Sequence, residues 1–301
     1  MRGIVVVLLL LAGGVRAGEL HDSAEWVMGA PLQSATARAI YRARASAAVD
    51  TARGLQELLS TWRDDTPLAR FNRLPAGEHT VVPPLLDYLV RARRDHARTG
   101  GAFDPSVGTL RVDPEAALGM HRLRVLGDRV VRPHDAFAID PGGDGKGLAV
   151  DAVDAHLRGA GIEDFLVDFG GSSWIARGRR DAETPWRVRL RHGARDLGTV
   201  ELAERALSIS STVQIDRGPD GEATRRHHLI DPRTREPITT DRFVAVLAPT
   251  ALDAEVASTA LAVDGAARAD WLEDFGDVEV LVVEDGRVVV SGPSFAPATA
   301  D

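Results

Sequence analysis

The sequence predicts an α+β fold: a single compact unit in which mixed or antiparallel sheets are flanked by helices. Segments with helical spacing of apolar residues alternate with short strand-like segments over most of the 301 residues. No internal repeat and no linker long enough to divide the chain interrupts them, although this length would also suffice for two small domains. We therefore expect one domain over residues 18–292 and a loose tail over residues 293–301.

The first 17 residues have the pattern of a secretory signal peptide. Arg2 precedes an apolar run from Ile4 to Ala12, and Val15-Arg16-Ala17 ends in a small residue suited to cleavage. The apolar run is short for a membrane span, which needs about 20 residues. We expect an exported, periplasmic protein, which stays tethered to the membrane if the segment is not cleaved.

The composition excludes several kinds of chemistry. The chain has no cysteine, so disulfides, thiolate metal sites and cysteine catalysis are ruled out. Its formal net charge is −8, and it becomes −10 when cleavage removes Arg2 and Arg16. An acidic chain without a basic stripe is not expected to bind nucleic acid. A small molecule and other proteins remain as partners.

Apolar periodicity and turn residues place the elements along the chain. Helices are predicted at Ser34–Trp62, Pro83–Arg98, Leu148 onward and Leu252–Val263, with a further helical segment at Ala266–Phe275. Strands are predicted at Trp26–Ala30, between Arg111 and Asp135, and at Phe165–Phe169, Trp186–Leu190, Gly198–Leu202, Ala206–Ser210, His227–Asp231, Phe243–Leu247, Val278–Val283 and Arg287–Val290.

A glycine-rich loop joins an apolar approach to a helix between Ile139 and Gly147. It reads Ile-Asp-Pro-Gly-Gly-Asp-Gly-Lys-Gly, with Lys146 as its cation. Glycines let backbone amides approach a ligand, and a helix N-terminus attracts anions, so the loop is a candidate phosphate site. The alternative is a glycine turn that Asp140 caps, with a solvated lysine. The loop fits neither the Walker A pattern nor the G-x-G-x-x-G dinucleotide pattern.

Three other polar segments have both functional and structural interpretations. Asp104, before a proline, is either a ligand contact or a turn cap. Gly170-Gly171 after a strand allows close approach of a ligand or a β-bulge. His227-His228, on a strand, would place one histidine near a ligand and the other in solvent, and either can be purely structural. The histidine spacing fits no zinc motif.

Glu255 and Thr259 stand four residues apart on the predicted helix from Leu252, so both side chains face the same way. Oxygen donors of this kind suit Mg²⁺ or Ca²⁺. The structural alternative is a surface glutamate stabilised by the helix dipole.

Taken together, these segments resemble the ApbE-type FAD:protein FMN transferases, exported enzymes that attach FMN to other proteins. The motifs that carry the resemblance cover nearly the whole predicted domain in the family's order. They are Met28-Gly29-Ala30, the loop Ser60–Arg73, Thr99–Gly108, Asp140–Asp151, Phe169-Gly170-Gly171, Pro185-Trp186, His228–Thr234 and the Glu255–Thr259 spacing.

The resemblance implies metal-assisted phosphoryl transfer in a cleft between sub-lobes. Mg²⁺ clamps the pyrophosphate of FAD, and a threonine of an acceptor flavoprotein, a membrane-associated redox protein, attacks the FMN phosphorus while AMP leaves. By the same resemblance Gly143 (through its carbonyl), Glu255 and Thr259 bind the metal, and His228 lines the reaction centre as the catalytic residue. FAD would be bound by Met28, Trp62, Ala102, Phe103, Asp104, Asp140, Lys146 and Leu229.

The sequence departs from the family pattern at four places. Glu255 replaces an aspartate, Asp144 replaces an apolar residue, Arg235 replaces a glycine, and the segment Leu207–Thr212 matches loosely. Two alternatives to the transferase therefore stay open. One is a family member that binds FAD with little transfer, as a carrier or regulator, and the other is an FAD pyrophosphatase that yields FMN and AMP.

Overall fold

The computed structural model describes residues 21–36, 42–181, 183–217 and 223–296. The predicted signal peptide lies outside these residues. Within them, no helix is both long and apolar enough to cross a membrane.

The described residues form sixteen strands and five α-helices, joined by turns and short 3-10 segments. The strands are β1 (His21–Val27), β2 (Ala30–Thr36), β3 (Gly77–Thr80), β4 (Arg124–Leu126), β5 (Arg129–Arg132), β6 (Phe165–Phe169), β7 (Ser173–Arg177), β8 (Trp186–His192), β9 (Arg195–Leu202), β10 (Arg205–Ser211), β11 (Val213–Arg217), β12 (Ala223–His227), β13 (Arg242–Ala248), β14 (Glu279–Glu284), β15 (Arg287–Ser291) and β16 (Phe295–Ala296). The helices are α1 (Arg42–Leu59), α2 (Pro67–Asn72), α3 (Pro83–Arg98), α4 (Gly145–Gly159) and α5 (Ala251–Asp264).

An eight-stranded sheet forms the centre of the molecule, in the order β1-β2-β6-β7-β10-β13-β14-β15. Its neighbouring strands all pair antiparallel. The central strands β6 and β13 are buried on both faces, which explains why their sequences are apolar apart from Asp168 of β6 and Arg242 at the start of β13. The predicted α+β fold with antiparallel sheets flanked by helices is confirmed.

Helix α5 is enclosed between this sheet and the other helices. Twelve of its fourteen residues are buried, as expected for a helix that is apolar all round. The Thr250 hydroxyl accepts a hydrogen bond from the Asp253 amide (3.1 Å) and begins the helix. Gly265, at φ 71°, ends it in a conformation that favours glycine. The sequence predicted this helix to within one residue at each end.

Asp151 of α4 is expected to make stability depend on pH between about 4 and 6. Its carboxylate accepts hydrogen bonds from the amides of Ala251 (2.7 Å) and Leu252 (3.0 Å) at the start of α5. Burial raises the pKa of Asp151 from 3.8 to about 6, although those amides oppose the rise. The folded chain therefore holds this proton more tightly than the unfolded chain, and the free energy of unfolding falls as pH rises through this window. Over the whole window, the titration of Asp151 lowers the free energy of unfolding by about 3 kcal/mol.

Urea unfolding of the wild type and of Asp151→Asn at several pH values measures this effect. The asparagine does not titrate, so its stability curve should be flatter between about pH 4 and pH 6. Parallel curves of stability against pH for the two proteins would contradict the raised pKa of Asp151.

The face of the central sheet opposite α5 packs against a three-stranded sheet of order β16-β9-β8. Strand β8 alternates, with Trp186, Val188 and Leu190 buried in the core cluster that also contains Phe243 and Leu247 of β13. Because side chains alternate along a strand, the side chain of Phe243 lies on the side of the central sheet away from α5.

Helices α2 and α3 and the small sheet β3-β5-β4 form a second lobe with its own core. Its buried apolar residues include Phe71, Leu85, Leu89, Val130 and Phe137. Helix α3 begins at Pro83, and the glycines Gly100 and Gly101 follow its end with φ of 56° and 82°. Both boundaries agree with the sequence prediction.

The predicted helix from Ser34 to Trp62 is wrong at both ends. The helix is α1, Arg42–Leu59, and Ser34 belongs to β2, where it pairs with Val167 of β6. The alanine-rich segment has high helix propensity, but pairing with the central sheet overrides propensity at its start.

Several short strands were also not predicted by the sequence pattern. Between Arg111 and Asp135 only β4 and β5 are strands among the described residues, and Met120–Arg122 is a 3-10 turn. Strands β3, β7 and β11 were not predicted. The expected helical segment at Ala266–Phe275 consists of two short 3-10 turns.

The chain after residue 292 is partly held by the fold. Phe295 is 6% exposed and pairs with Val200 of β9. The prediction of a loose tail from residue 293 therefore does not hold for Phe295 and Ala296, because the aromatic side chain fills the core between the two sheets. Residues 297–301 lie outside the described residues.

Candidate active site

A cavity of about 1400 Å³ lies between the second lobe and the central sheet. Typical pockets for drug-sized molecules measure about 300–1,000 Å³, so this one has room for a dinucleotide. Of the twelve residues predicted to bind FAD or metal or to act in catalysis, ten line it: Ala102, Phe103, Asp104, Asp140, Gly143, Lys146, His228, Leu229, Glu255 and Thr259.

The glycine loop forms one wall of this cavity. Asp140 begins a single 3-10 turn, Pro141–Gly143, and its Oδ1 accepts a hydrogen bond from the Gly142 amide (2.9 Å). Its Oδ2 lies 2.8 Å from Nη2 of Arg111. Asp140 therefore caps the turn and also faces the cavity. Helix α4 begins at Gly145, so the positive end of its dipole lies at this wall.

Lys146 is the only lysine in the chain, and it lies at the centre of a polar network in this wall. Its Nζ donates to the Ser172 hydroxyl (2.5 Å) and lies 3.3 Å from Oε1 of Glu255. Glu255 is 4% exposed, its Oε2 accepts from the Gly147 amide (2.6 Å), and its Oε1 accepts from the Ser173 hydroxyl. The carboxylate thus fixes the lysine, the start of α4 and the start of β7 relative to one another.

The Asp144 carboxyl is buried behind the loop and does not line the cavity. The Tyr88 hydroxyl donates a hydrogen bond to its Oδ1 (3.3 Å). Burial, reinforced by the negative charge of Glu255, holds the pKa of Asp144 well above its usual range. Because this carboxyl does not line the cavity, the departure from the family pattern does not place its oxygens directly against the expected phosphates.

The predicted metal ligands present only oxygen atoms to the cavity. The Thr259 hydroxyl lies 3.4 Å from the carbonyl oxygen of Gly143, close to the spacing of about 3 Å between adjacent ligands in a Mg²⁺ octahedron. Glu255 precedes Thr259 by one turn of α5 and lines the same wall. Among the described residues, no group of three or more histidine and carboxylate side chains is suited to hold a metal ion. The set of one carboxylate, one hydroxyl and one carbonyl still fits a hard cation that keeps several waters.

Asp104 also lines the cavity. Its Oδ1 accepts from the Ser106 amide (2.9 Å), so it caps a turn, and its Oδ2 is 3.5 Å from Nδ1 of His96. Burial raises the pKa of Asp104, which the neighbouring His96 partly opposes, and burial lowers the pKa of His96. A Cβ on Gly143 would lie 3.1 Å from the Phe103 ring, so the glycine allows the ring to pack on the loop.

His228 and Leu229 lie in an irregular segment at the cavity wall. Strand β12 ends before His228, so the predicted strand over residues 227–231 is wrong. The His228 amide donates to the Thr212 carbonyl (3.3 Å), and the Leu229 carbonyl accepts from the Ile238 amide (2.9 Å). These separate contacts hold the segment without a strand ladder, and they leave His228 exposed where it lines the cavity.

The turn that follows this segment is locked by ion pairs. Asp231 accepts from the Arg233 amide (2.9 Å) and guanidinium (2.8 Å), and Arg233 also pairs with Asp264 of α5. Arg235 has φ 65°, a conformation that favours the glycine of the family pattern. Its guanidinium donates to the Glu115 carbonyl (3.2 Å), which joins this turn to the second lobe.

Met28 and Trp62 do not line the cavity. The Met28 side chain packs beneath the glycine loop, where a Cβ on Gly145 would lie 2.9 Å from its Cε. Its amide donates to Oε1 of Gln56 (2.6 Å). Trp62 is 90% exposed and lies outside the cavity lining, and its contact with flavin or adenine stays a prediction.

The sequence analysis missed a second part of the cavity, which we call the outer lobe. Its defining residues come from four segments: Arg191, His192, Arg195, Arg225, Asp241 and Phe243. No motif marked them, because arginines that alternate with apolar residues on β8 have the pattern of a solvated strand face. The sequence analysis also missed Ser172 and Ser173. A local sequence pattern did point to these two residues, because they follow the Gly170-Gly171 pair.

Gly147→Ala is expected to reduce the free energy of unfolding by about 2 kcal/mol. A Cβ at Gly147 would lie 2.7 Å from the carbonyl oxygen of Ala251 and 2.8 Å from Cα of Leu252. Both are backbone atoms, so α4 and α5 would have to separate. Gly159→Ala, in the same helix but with open space around it, is the matched control. Equal stability of the two variants in urea unfolding would contradict this packing.

The cavity combines a glycine loop at a helix N-terminus, a lysine and several oxygen donors. This combination is typical of an α+β enzyme that binds a phosphate-bearing nucleotide. Residues 28–282 match the model of the ApbE family. The chain therefore belongs to the ApbE family, as its sequence motifs indicated.

Individual relatives agree with this assignment. The FAD:protein FMN transferase of Vibrio cholerae is 28% identical over 273 residues, which cover 81% of this chain and 80% of that protein. The FAD:protein FMN transferase of Klebsiella pneumoniae is 29% identical over 263 residues, covering 76% and 74%. The solved structure of the flavin transferase ApbE from Vibrio cholerae matches with a TM-score of 0.76 at 23% identity, covering 92% of this chain and 98% of that one.

Proposed function

We propose that this protein is an FAD:protein FMN transferase that moves FMN from FAD to a threonine of an acceptor protein, with Mg²⁺ bound and with release of AMP. The observation that carries the proposal is the meeting of Lys146, the Gly143 carbonyl, Glu255 and Thr259 in one wall of a dinucleotide-sized cavity. Relatives named FAD:protein FMN transferase support the flavin chemistry.

In this proposal the glycine loop and Lys146 bind the diphosphate of FAD. Lys146 supplies a positive charge at a fixed place, because Ser172 and Glu255 hold its ammonium group before the ligand arrives. Such preorganised charge stabilises the phosphoryl transition state without covalent chemistry.

Gly143, Glu255 and Thr259 would hold Mg²⁺, which supplies further positive charge to the diphosphate when bound. His228 is proposed to line the reaction centre, where it is placed to receive the proton of the attacking hydroxyl. Asp104, Asp140, Phe103, Ala102 and Leu229 would contact FAD from the other walls.

Incubation of the full chain with FAD, MgCl₂ and a threonine-bearing peptide tests the function. Intact-mass measurement should show the peptide with one FMN in phosphoester linkage, together with AMP in equal amount. EDTA and a serine-free, threonine-free peptide are the controls. FAD binding without labelling would favour a flavin carrier, and AMP release without labelling would favour a pyrophosphatase.

A further inference from the structure

The outer lobe lies on the other side of the central sheet from the phosphate-binding wall. The hydroxyls of Ser208 and Ser210 on β10 are within 3.0 and 2.8 Å of the Ser258 hydroxyl, so they face α5. Phe243 faces the opposite way, and the His192 ring packs on it at 5.5 Å. The same cavity is lined by residues from both sides, including Ser208 and Ser210 on one and Phe243 on the other.

Neither Arg191 nor Arg195 forms a close ion pair with a carboxylate among the described residues. The positive charge of Arg191 acts on Asp196 across the strands and helps to lower its pKa, but the close ion pair of Asp196 is with Arg189, whose Nε lies 2.8 Å from the carboxylate. The Arg195 guanidinium donates to the Gly286 carbonyl, which carries no charge. Both side chains are exposed at the cavity wall.

Asp241 is the one carboxylate among the six residues that define the outer lobe. Arg225 Nη2 lies 2.5 Å from its Oδ2, so this arginine already neutralises the carboxylate, while His192 Nε2 lies 3.2 Å from its Oδ1 without a hydrogen bond. The remaining charge of the lobe is therefore positive, on a chain whose net charge is −8. Oppositely charged partners are attracted to such a region.

FAD does not supply an anion for this region. Its charged part is the diphosphate, whose proposed place is at Lys146 on the α5 side, whereas the flavin and adenosine parts are uncharged at neutral pH. A peptide that brings a hydroxyl to the phosphorus must enter through the same cavity. Its own carboxylates are then the groups that can pair with Arg191 and Arg195.

We propose that the outer lobe binds an acidic segment of the acceptor protein beside the residue that is modified. This inference rests on the proposed transfer of FMN to a protein. Arg191 and Arg195 contact the carboxylates of the segment, and the partly exposed His192 ring, which packs on the buried Phe243, contacts its apolar atoms.

Fluorescence anisotropy with two labelled peptides tests the proposal. Both contain one threonine. One has aspartates on each side of it, and the other has asparagines at the same positions. The full chain loaded with FAD and MgCl₂ should bind the acidic peptide about tenfold more tightly, as expected for two exposed ion pairs. The preference should disappear in Arg191→Glu/Arg195→Glu.

Arg187→Glu is the matched control, because Arg187 is on the same strand but pairs with Glu201 outside the cavity. This variant should keep the preference, and FAD binding measured by flavin fluorescence should stay within about twofold in all three proteins. Equal binding of the two peptides by the wild type, or an unchanged preference in the double variant, would overturn the proposal. Displacement of the acidic peptide by inorganic pyrophosphate would also overturn it. Selective binding of the acidic peptide without transfer of FMN to it would support the docking surface and contradict the proposed transfer.

Discussion

Lys146→Ala is expected to weaken FAD binding by roughly 10- to 100-fold, the value of one charge-assisted hydrogen bond to phosphate. The loss in transfer rate should be larger, because the same charge also acts on the transition state. The ammonium group is 3.3 Å from Glu255 and lies in the cavity wall with its side chain 28% exposed, so it can reach a ligand without a large movement.

Flavin fluorescence measures the binding, and intact mass of a threonine peptide measures the transfer. The melting temperature should fall moderately, because Glu255 keeps its hydrogen bonds from the Gly147 amide and the Ser173 hydroxyl but loses the cation that pairs with its buried carboxylate. Arg111→Ala, which removes an exposed cation of the same cavity, serves as the comparison. Equal losses in the two variants would mean that Lys146 has no special place in FAD binding.

Thr259→Ala and Glu255→Ala are expected to abolish Mg²⁺-dependent transfer for two different reasons. Loss of the Thr259 hydroxyl removes a proposed metal ligand, which should reduce the rate by about 100-fold or more, while the fold is kept. Loss of the Glu255 carboxylate also leaves the Gly147 amide, the Ser173 hydroxyl and Lys146 without their acceptor. The free energy of unfolding should then fall by about 3 kcal/mol.

Urea unfolding separates the two effects, and calorimetric titration with MgCl₂ measures metal binding directly. Thr259→Ser, which keeps the hydroxyl, should retain much of the transfer. The assignment of the metal ligands fails if Thr259→Ala shows full Mg²⁺-dependent transfer and unchanged metal binding.

The family, the fold class and most long elements could be predicted from the sequence because their signals are local. The Gly100-Gly101 pair, the Asp140–Gly147 loop and the apolar repeat of α5 each identify an element within a few residues. Most predicted site residues that line the cavity lie in loops or at the ends of elements, whereas Glu255 and Thr259 lie on one face of α5. The roles assigned to them stay predictions.

The remaining features depend on contacts between distant segments. Ser34 is in a strand because β2 pairs with β6, which begins more than a hundred residues later. Arg225 and Asp241 reach the outer lobe because β12 and the start of β13 meet β8 there, and no local pattern encodes that arrangement. The tight turn at Arg235 likewise has no local glycine to indicate its positive φ.

The sole lysine has a practical consequence for handling this protein. Amine-reactive reagents can modify only Lys146 and the N-terminal amine, so a single isotopically methylated side chain would report on the diphosphate-binding wall by NMR. Immobilisation through amine coupling at Lys146 would attach the support at the cavity itself. Conjugation through carboxylates or through an added tag avoids that loss.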